Sequence, residues 1–184
     1  MSRITPLSPE QMTPAQRRVR DTIIAGPRKT ATHGPFNAWL QSPELADRAQ
    51  NLGAFLRFST SLSKRLSELA ILVVARQWTA QFEWYAHRKL ALESGLAEAV
   101  IDAIEARRRP DFANTDEIAV YEFTVELLDS CEVSDATYQA ALDHLGPNGT
   151  VELVGLLGYY TLVSMTLNVY QVPLPEGEAP PLTK

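Results

Sequence analysis

The chain has 184 residues, of which 45% are hydrophobic and 21% charged. That length and apolar content suit one domain with its own core, without disulfide or metal staples, and they exclude extended disorder. Seventeen basic against 22 acidic residues leave a net charge of −5. The basic residues form only short, scattered clusters, which argues against nucleic acid as a partner, since such a surface needs a basic stripe.

Cys131 is the single cysteine. An intrachain disulfide, a Cys-x-x-Cys redox pair and a cysteine-based zinc site are therefore impossible. Residues 1–14 carry no apolar run of signal-peptide type. No charge lies between Glu152 and Glu176, so a membrane span must be considered there. Its strongly apolar part, residues 153–167, would reach only about 23 Å as a helix at ~1.5 Å per residue. A spanning helix needs ~20 mostly apolar residues. A buried core helix is the better reading, and the chain is expected to be soluble and cytoplasmic, with no membrane partner.

In chain order, Thr13-Pro14 supplies an N-cap and a first-turn proline for a helix ending near Gly26. Residues 26–36 are dense in Gly, Pro and Thr and read as a loop. Ser42-Pro43-Glu44 starts a second helix running to about residue 60. Ser63 opens a third, in which Leu66, Leu69, Ala70, Val73 and Val74 follow the spacing of a buried face. Its nearly continuous apolar run makes it central. A fourth helix covers about 80–94 and stops at Gly95. Further helices are expected at about 97–107, 115–129 and 134–145. A turn follows at 146–149, then a last helix at about 150–171. The tail, 173–184, holds four prolines and is expected to lie extended on the surface. No strand-like alternation occurs, so the fold class is all-α, one domain with its core at about 43–103. A faint internal pseudo-repeat sets Glu68 on Glu152 and Leu72 on Leu156. Only the first copy keeps the ionisable set, because Glu83 falls on Leu167 and His87 on Gln171.

Of the three histidines, His144 sits near a helix end, where an imidazolium suits the dipole. His33 lies in the Gly/Pro loop. His87 has Glu83 four residues before it, on the same helical face. A carboxylate beside imidazole orients it and suits acid/base work near neutral pH. The alternative is an exposed i,i+4 ion pair worth a few tenths of a kcal/mol. If the chain reverses near Trp78-Thr79-Ala80, two antiparallel helices bring Glu68 to the height of His87. Glu68, Glu83 and His87 would then share one partly desolvated pocket, with their titrations pushed apart.

The run Ser67-Glu68-Leu69-Ala70-Ile71-Leu72 … Trp78 … Phe82-Glu83-Trp84 … His87 … Ala91 … Gly95-Leu96 resembles the carboxymuconolactone decarboxylase family, which shares a fold with the alkylhydroperoxidase AhpD. The family pattern is Glu, 14 residues, Cys or Glu, three residues, His, and here it reads Glu68, Glu83, His87. Similarity is strongest over about 43–103. It extends more weakly through Gly26-Pro27-Arg28 and Gly158-Tyr159-Tyr160 … Asn168. The resemblance implies an AhpD-like helical bundle that forms a homo-oligomer.

In the AhpD branch a Cys-x-x-Cys pair reacts with peroxide; the matching positions here are Ala80 and Glu83. A hydroperoxidase label inherited through the family would thus lack its thiolates. Cys131, among acids in another segment, reads as structural. The resemblance to the decarboxylase branch implies a lyase of aromatic-compound catabolism, working on a small carboxylated substrate without cofactor or metal. Loss of CO2 from a lactone acid leaves a dienolate to be protonated. His87 is then the candidate proton donor, Glu83 its tuning partner and Glu68 a second acid/base or relay. Arg57 and Arg76 are candidate cations for the substrate carboxylate; each alone also fits a solvated surface charge. His33 belongs to a loop that can close over a pocket, and Trp84, with Trp39, Trp78, Tyr159 and Tyr160, can wall it. Metal binding by Glu68, Glu83 and His87 was weighed against the absence of Glu-x-x-His spacing, and no metal is expected. The rival reading is a non-catalytic small-ligand-binding or interaction protein in which Glu68 and His87 are a buried structural pair. An open cavity touching both His87 and Glu83 would favour catalysis.

Overall fold

The computed structural model describes residues 2–29 and 33–183, so the middle of the expected 26–36 loop lies outside the described residues. Those residues form eight α-helices and no strand. The all-α expectation holds.

Helix α1, Pro14–Ala25, starts with a full capping box between Thr13 and Gln16. The Gln16 amide also donates to the Leu40 carbonyl at 2.9 Å, tying α1 to α2, Phe36–Trp39. That short helix replaces the end of the expected loop. Its cause is tertiary: Phe36 and Trp39 pack edge to face, and Trp39 Nε1 donates to Thr166 Oγ1 at 3.0 Å. Helix α3 covers Pro43–Phe58.

Helix α4, Lys64–Gln77, is capped by Ser63 and buries every residue from Leu66 to Arg76 except Glu68. A helix apolar on nearly all sides must be enclosed, and α4 packs against α5, Gln81–Glu93, α7, Thr115–Ser130, and α8, Asp135–Tyr170. The remaining helix, α6, is Glu98–Glu105. At the start of α4, Arg65 pairs with Asp116 at 2.7 Å and with Glu117, fastening α4 to α7. The chain reverses between α4 and α5 where it was expected to, with Thr79 in the left-handed region at φ 47°.

Two expectations need correction. The turn expected at 146–149 shrinks to one residue: the two expected helices meet at Gly146, with φ 68° and ψ 175°, and together make up the 36 residues of α8. A single left-handed glycine makes the break. Pro147 then resumes the helix at a position where its missing N–H costs nothing. The most apolar window of α8 has a mean hydropathy of 1.3, enough for a membrane span by length and composition, but 56% of it is buried. That is the pattern of a core helix.

The tail does not simply lie on the surface. Leu182 is buried; its N–H donates to Gln81 Oε1 at 2.9 Å, while Gln81 Nε2 donates to its carbonyl at 2.7 Å. Replacing Gln81 with alanine removes both bonds. It is expected to cost about 1–2 kcal/mol and to expose the tail to proteolysis; a digestion rate equal to that of the parent chain would show that the clasp is idle. The other chain end runs nearby, with Arg3 N–H donating to the Tyr170 carbonyl at 2.9 Å. Residues from both ends, Ser2, Ile4, Pro6 and Val172 to Pro175, meet His33, Gly34 and Phe82 around a cavity of about 370 Å³.

Candidate active site

Glu68 projects from α4 and meets His87 of α5: His87 Nδ1 lies 2.6 Å from Glu68 Oε2. On its other side His87 Nε2 lies 2.9 Å from Glu83 Oε1, one turn earlier on α5. The reversal at Thr79 thus joins the three residues singled out by spacing. The His87 and Glu83 side chains are 4% and 6% exposed, and Glu68 is 13% exposed. Glu83 occupies the first turn of α5, where the helix dipole favours a carboxylate. The Tyr160 ring stands edge to face with the imidazole at 5.2 Å.

Burial by itself would push the His87 pKa down. The fields and hydrogen bonds of Glu68 and Glu83 outweigh that and raise it to about 9. At neutral pH His87 is therefore an imidazolium with both N–H groups donating to carboxylates. It has no lone pair to offer a metal ion. Among the described residues no group of His, Cys, Asp and Glu is arranged to hold one.

The triad forms a wall between two cavities. Glu83 and His87 line a half-open cavity of about 150 Å³, together with Arg28, His33, Phe36, Arg57, Tyr159 and Tyr160. Glu68 faces an outer cleft of about 560 Å³ with Lys64, Ser67 and again Arg57. The Arg57 guanidinium rests against Phe58 and has no carboxylate partner among the described residues. Burial pushes the Tyr159 phenol up to about 12, against the opposing pull of Arg28, and pushes Tyr160 well above its ordinary value. Both hydroxyls keep their protons at neutral pH and remain donors.

Other sequence candidates fall elsewhere. His33 is exposed at the cavity rim. Trp84 is fully buried in the core and lines neither cavity, which corrects its assignment to the substrate. Arg76 serves the far end of α4, donating to the Glu105 carbonyl at 2.7 Å and to Thr79 Oγ1 at 3.2 Å. Cys131 is exposed and ends α7 in a left-handed conformation. Glu152, the repeat partner of Glu68, accepts from Ser61 and takes no part in the triad.

One cavity residue escaped the sequence reading of the site. Arg28 donates from Nη2 to Tyr159 Oη at 3.1 Å, with its guanidinium over the Phe36 ring. Its Nε is buried and has no partner among the described residues. Gly53 makes this possible, since a Cβ there would overlap both the Tyr159 hydroxyl and the Arg28 guanidinium. The sequence placed Gly26-Pro27-Arg28 in a weakly similar stretch but carried no sign that it reaches a tyrosine 131 residues away.

No family model matches the sequence, and no curated protein matches it. A solved structure from Agrobacterium tumefaciens superposes with a TM-score of 0.67, covering 78% of this chain and 99% of that one at 18% identity. The fold is AhpD-like. That neighbour is a protein of unknown function described as a candidate antioxidant defence protein AhpD. At this identity the likeness concerns the AhpD-like fold alone, because one fold hosts several chemistries.

Proposed function

We propose that this chain is a cofactor-independent acid/base enzyme acting on a small carboxylated substrate, most simply a lyase that decarboxylates a carboxymuconolactone-like lactone acid. The observation that carries this reading is the cavity that touches both Glu83 and His87. A sealed pair would fit a purely structural role. A cavity of about 150 Å³ suits a single-ring compound, since engineered cavities of that size take up benzene.

The geometry favours a different division of labour from the one the resemblance implies. Both His87 nitrogens are committed to carboxylates, so His87 presents no free N–H to the cavity. Glu83 Oε2 has no protein partner among the described residues, and Glu83 lines the cavity. Glu83 is therefore the group that meets the substrate, and His87 is the positioning residue that supplies it. When the C–CO2 bond breaks, its electron pair stays on carbon as a dienolate. The proton passes from His87 Nε2–H through the Glu83 carboxylate to that carbon, and Glu68 in the larger cleft returns a proton from solvent to the imidazole. Protonated tyrosines beside the site can donate to the developing enolate oxygen.

The antioxidant description of the structural neighbour does not carry over. Thiol peroxidase chemistry needs a thiolate at the site, and the lone Cys131 lies on the surface at the end of α7. A cytoplasmic role in aromatic-compound catabolism agrees with a one-ring acid as substrate. Exposed Val151, Val154, Leu162, Met165 and Val169 on α8, with Leu52 and Phe55 on α3, support assembly as a homo-oligomer.

The test is CO2 release from carboxylated lactones and β-keto acids, with solvent deuterium followed into the product. Glu83→Gln is expected to lower the rate at least 100-fold, within the range for a lost general acid, and Cys131→Ser to leave it unchanged. Full activity in Glu83→Gln would remove Glu83 from proton transfer. No release from any compound would favour the ligand-binding reading.

A further inference from the structure

We propose that Arg28, held in place by Tyr159 in the space left by Gly53, is the receptor for the ligand's carboxylate, and that the cavity selects one-ring monocarboxylates over their neutral isosteres. This rests on the acid/base reading only for the location of the substrate.

Arg28 has an unusual position for a cation. Its guanidinium lies between the Phe36 ring and the Tyr159 hydroxyl, and it forms no ion pair among the described residues. Its Nε–H is withdrawn from water with no partner among the described residues. Arg28 lines the same cavity as Glu83 and His87, and an unpaired buried donor is costly, so a ligand that reaches the guanidinium would complete its bonding. The fork formed by Nε–H and a terminal N–H matches the two oxygens of a carboxylate, a geometry a lysine cannot offer.

The surroundings fix the orientation of that fork. Tyr159 Oη accepts from Nη2, which leaves its own O–H free to donate in the same cavity. The absent side chain at Gly53 lets guanidinium and phenol share that space.

Charge supplies the stoichiometry. Two carboxylates and the His87 imidazolium leave the triad one negative charge. Arg28 and Arg57, both on the cavity wall, reverse that to a net single positive charge. One monoanion neutralises the site, whereas a neutral ligand leaves that single positive charge uncompensated. The limited volume of about 150 Å³ confines that monoanion to one ring.

Calorimetric titration with benzoate and with benzamide, its neutral isostere, tests this without any turnover. The parent chain is expected to bind benzoate at least tenfold more tightly than benzamide. Arg28→Gln should lose that preference while keeping its benzamide affinity. Tyr159→Phe, which keeps the ring and removes the oxygen that holds the guanidinium, should lose part of it. Arg108→Gln, a surface arginine lining another cavity, should change neither affinity and so controls for general charge. Melting curves of each variant identify any that fail to fold, and the tyrosine variant then decides.

Equal affinities for benzoate and benzamide, no benzoate binding at millimolar concentration, or an undiminished preference in folded Arg28→Gln would each overturn the proposal. Glu83→Gln separates it from the catalytic reading. Lost turnover in that variant with retained Arg28-dependent benzoate binding supports both, while loss of turnover in a chain indifferent to Arg28 sinks the receptor and spares the acid/base site.

Discussion

Replacing His87 with alanine is expected to abolish turnover and to cost about 3–5 kcal/mol of stability, the usual penalty for removing one member of a buried charge cluster. Among the described residues His87 is the sole counter-charge in contact with Glu83 and Glu68, and without it two carboxylates face each other in a site nearly closed to water. The instability should therefore belong to the stranded carboxylates more than to the lost ring. Adding Glu68→Gln and Glu83→Gln to His87→Ala should recover part of the loss, because neutral amides need no counter-charge. Denaturant unfolding of the single and triple variants measures this. If the single variant loses less than about 1 kcal/mol, the cluster behaves as an exposed pair and the electrostatic account of the site fails.

The second large effect concerns pH. The imidazole titrates at about 9 in the folded chain against an ordinary value of 6.5. A group whose folded pKa is raised holds its proton more tightly in the native state, so its stabilisation is full below about pH 6.5. It is lost as pH rises through about 9. The span corresponds to roughly 3 kcal/mol as an upper figure. Unfolding free energy should fall over this window, and the rate should show an alkaline limb near pH 9, where the proton supply to Glu83 disappears. His87→Gln should flatten the stability profile. A parent profile that is already level between about pH 6 and pH 10 would mean that the folded and unfolded chains hold the imidazole proton equally, so that Glu68 and Glu83 do not raise its pKa.

The triad was legible because its geometry is local. Glu83 and His87 are one helical turn apart, and a reversal of known place brought Glu68 to their height. Helix starts were equally legible wherever a Ser or Thr cap preceded proline or a first-turn contact, as at Thr13 and Ser63. What escaped depended on distant partners. Helix α2 exists because Trp39 reaches Thr166, and the tail folds back because Gln81 grips both backbone groups of Leu182. Arg28 gains meaning only through Tyr159 and the missing side chain of Gly53. The hydrogen-bonding state of the triad is not legible in the sequence for a related reason. Sequence places an imidazole near carboxylates but does not say that both of its nitrogens are already taken.

Segments near both chain ends meet beside the cavity that holds Glu83 and His87, which affects how such a protein changes over time. His33, Gly34 and Phe82 are shared between that cavity and the neighbouring one, which Ser2, Ile4, Pro6 and Val172 to Pro175 complete. Terminal segments tolerate substitution and extension better than packed helices do. Substitutions in these segments therefore reshape the neighbouring cavity, and through His33, Gly34 and Phe82 its boundary with the first, while the buried charges on α4 and α5 stay untouched.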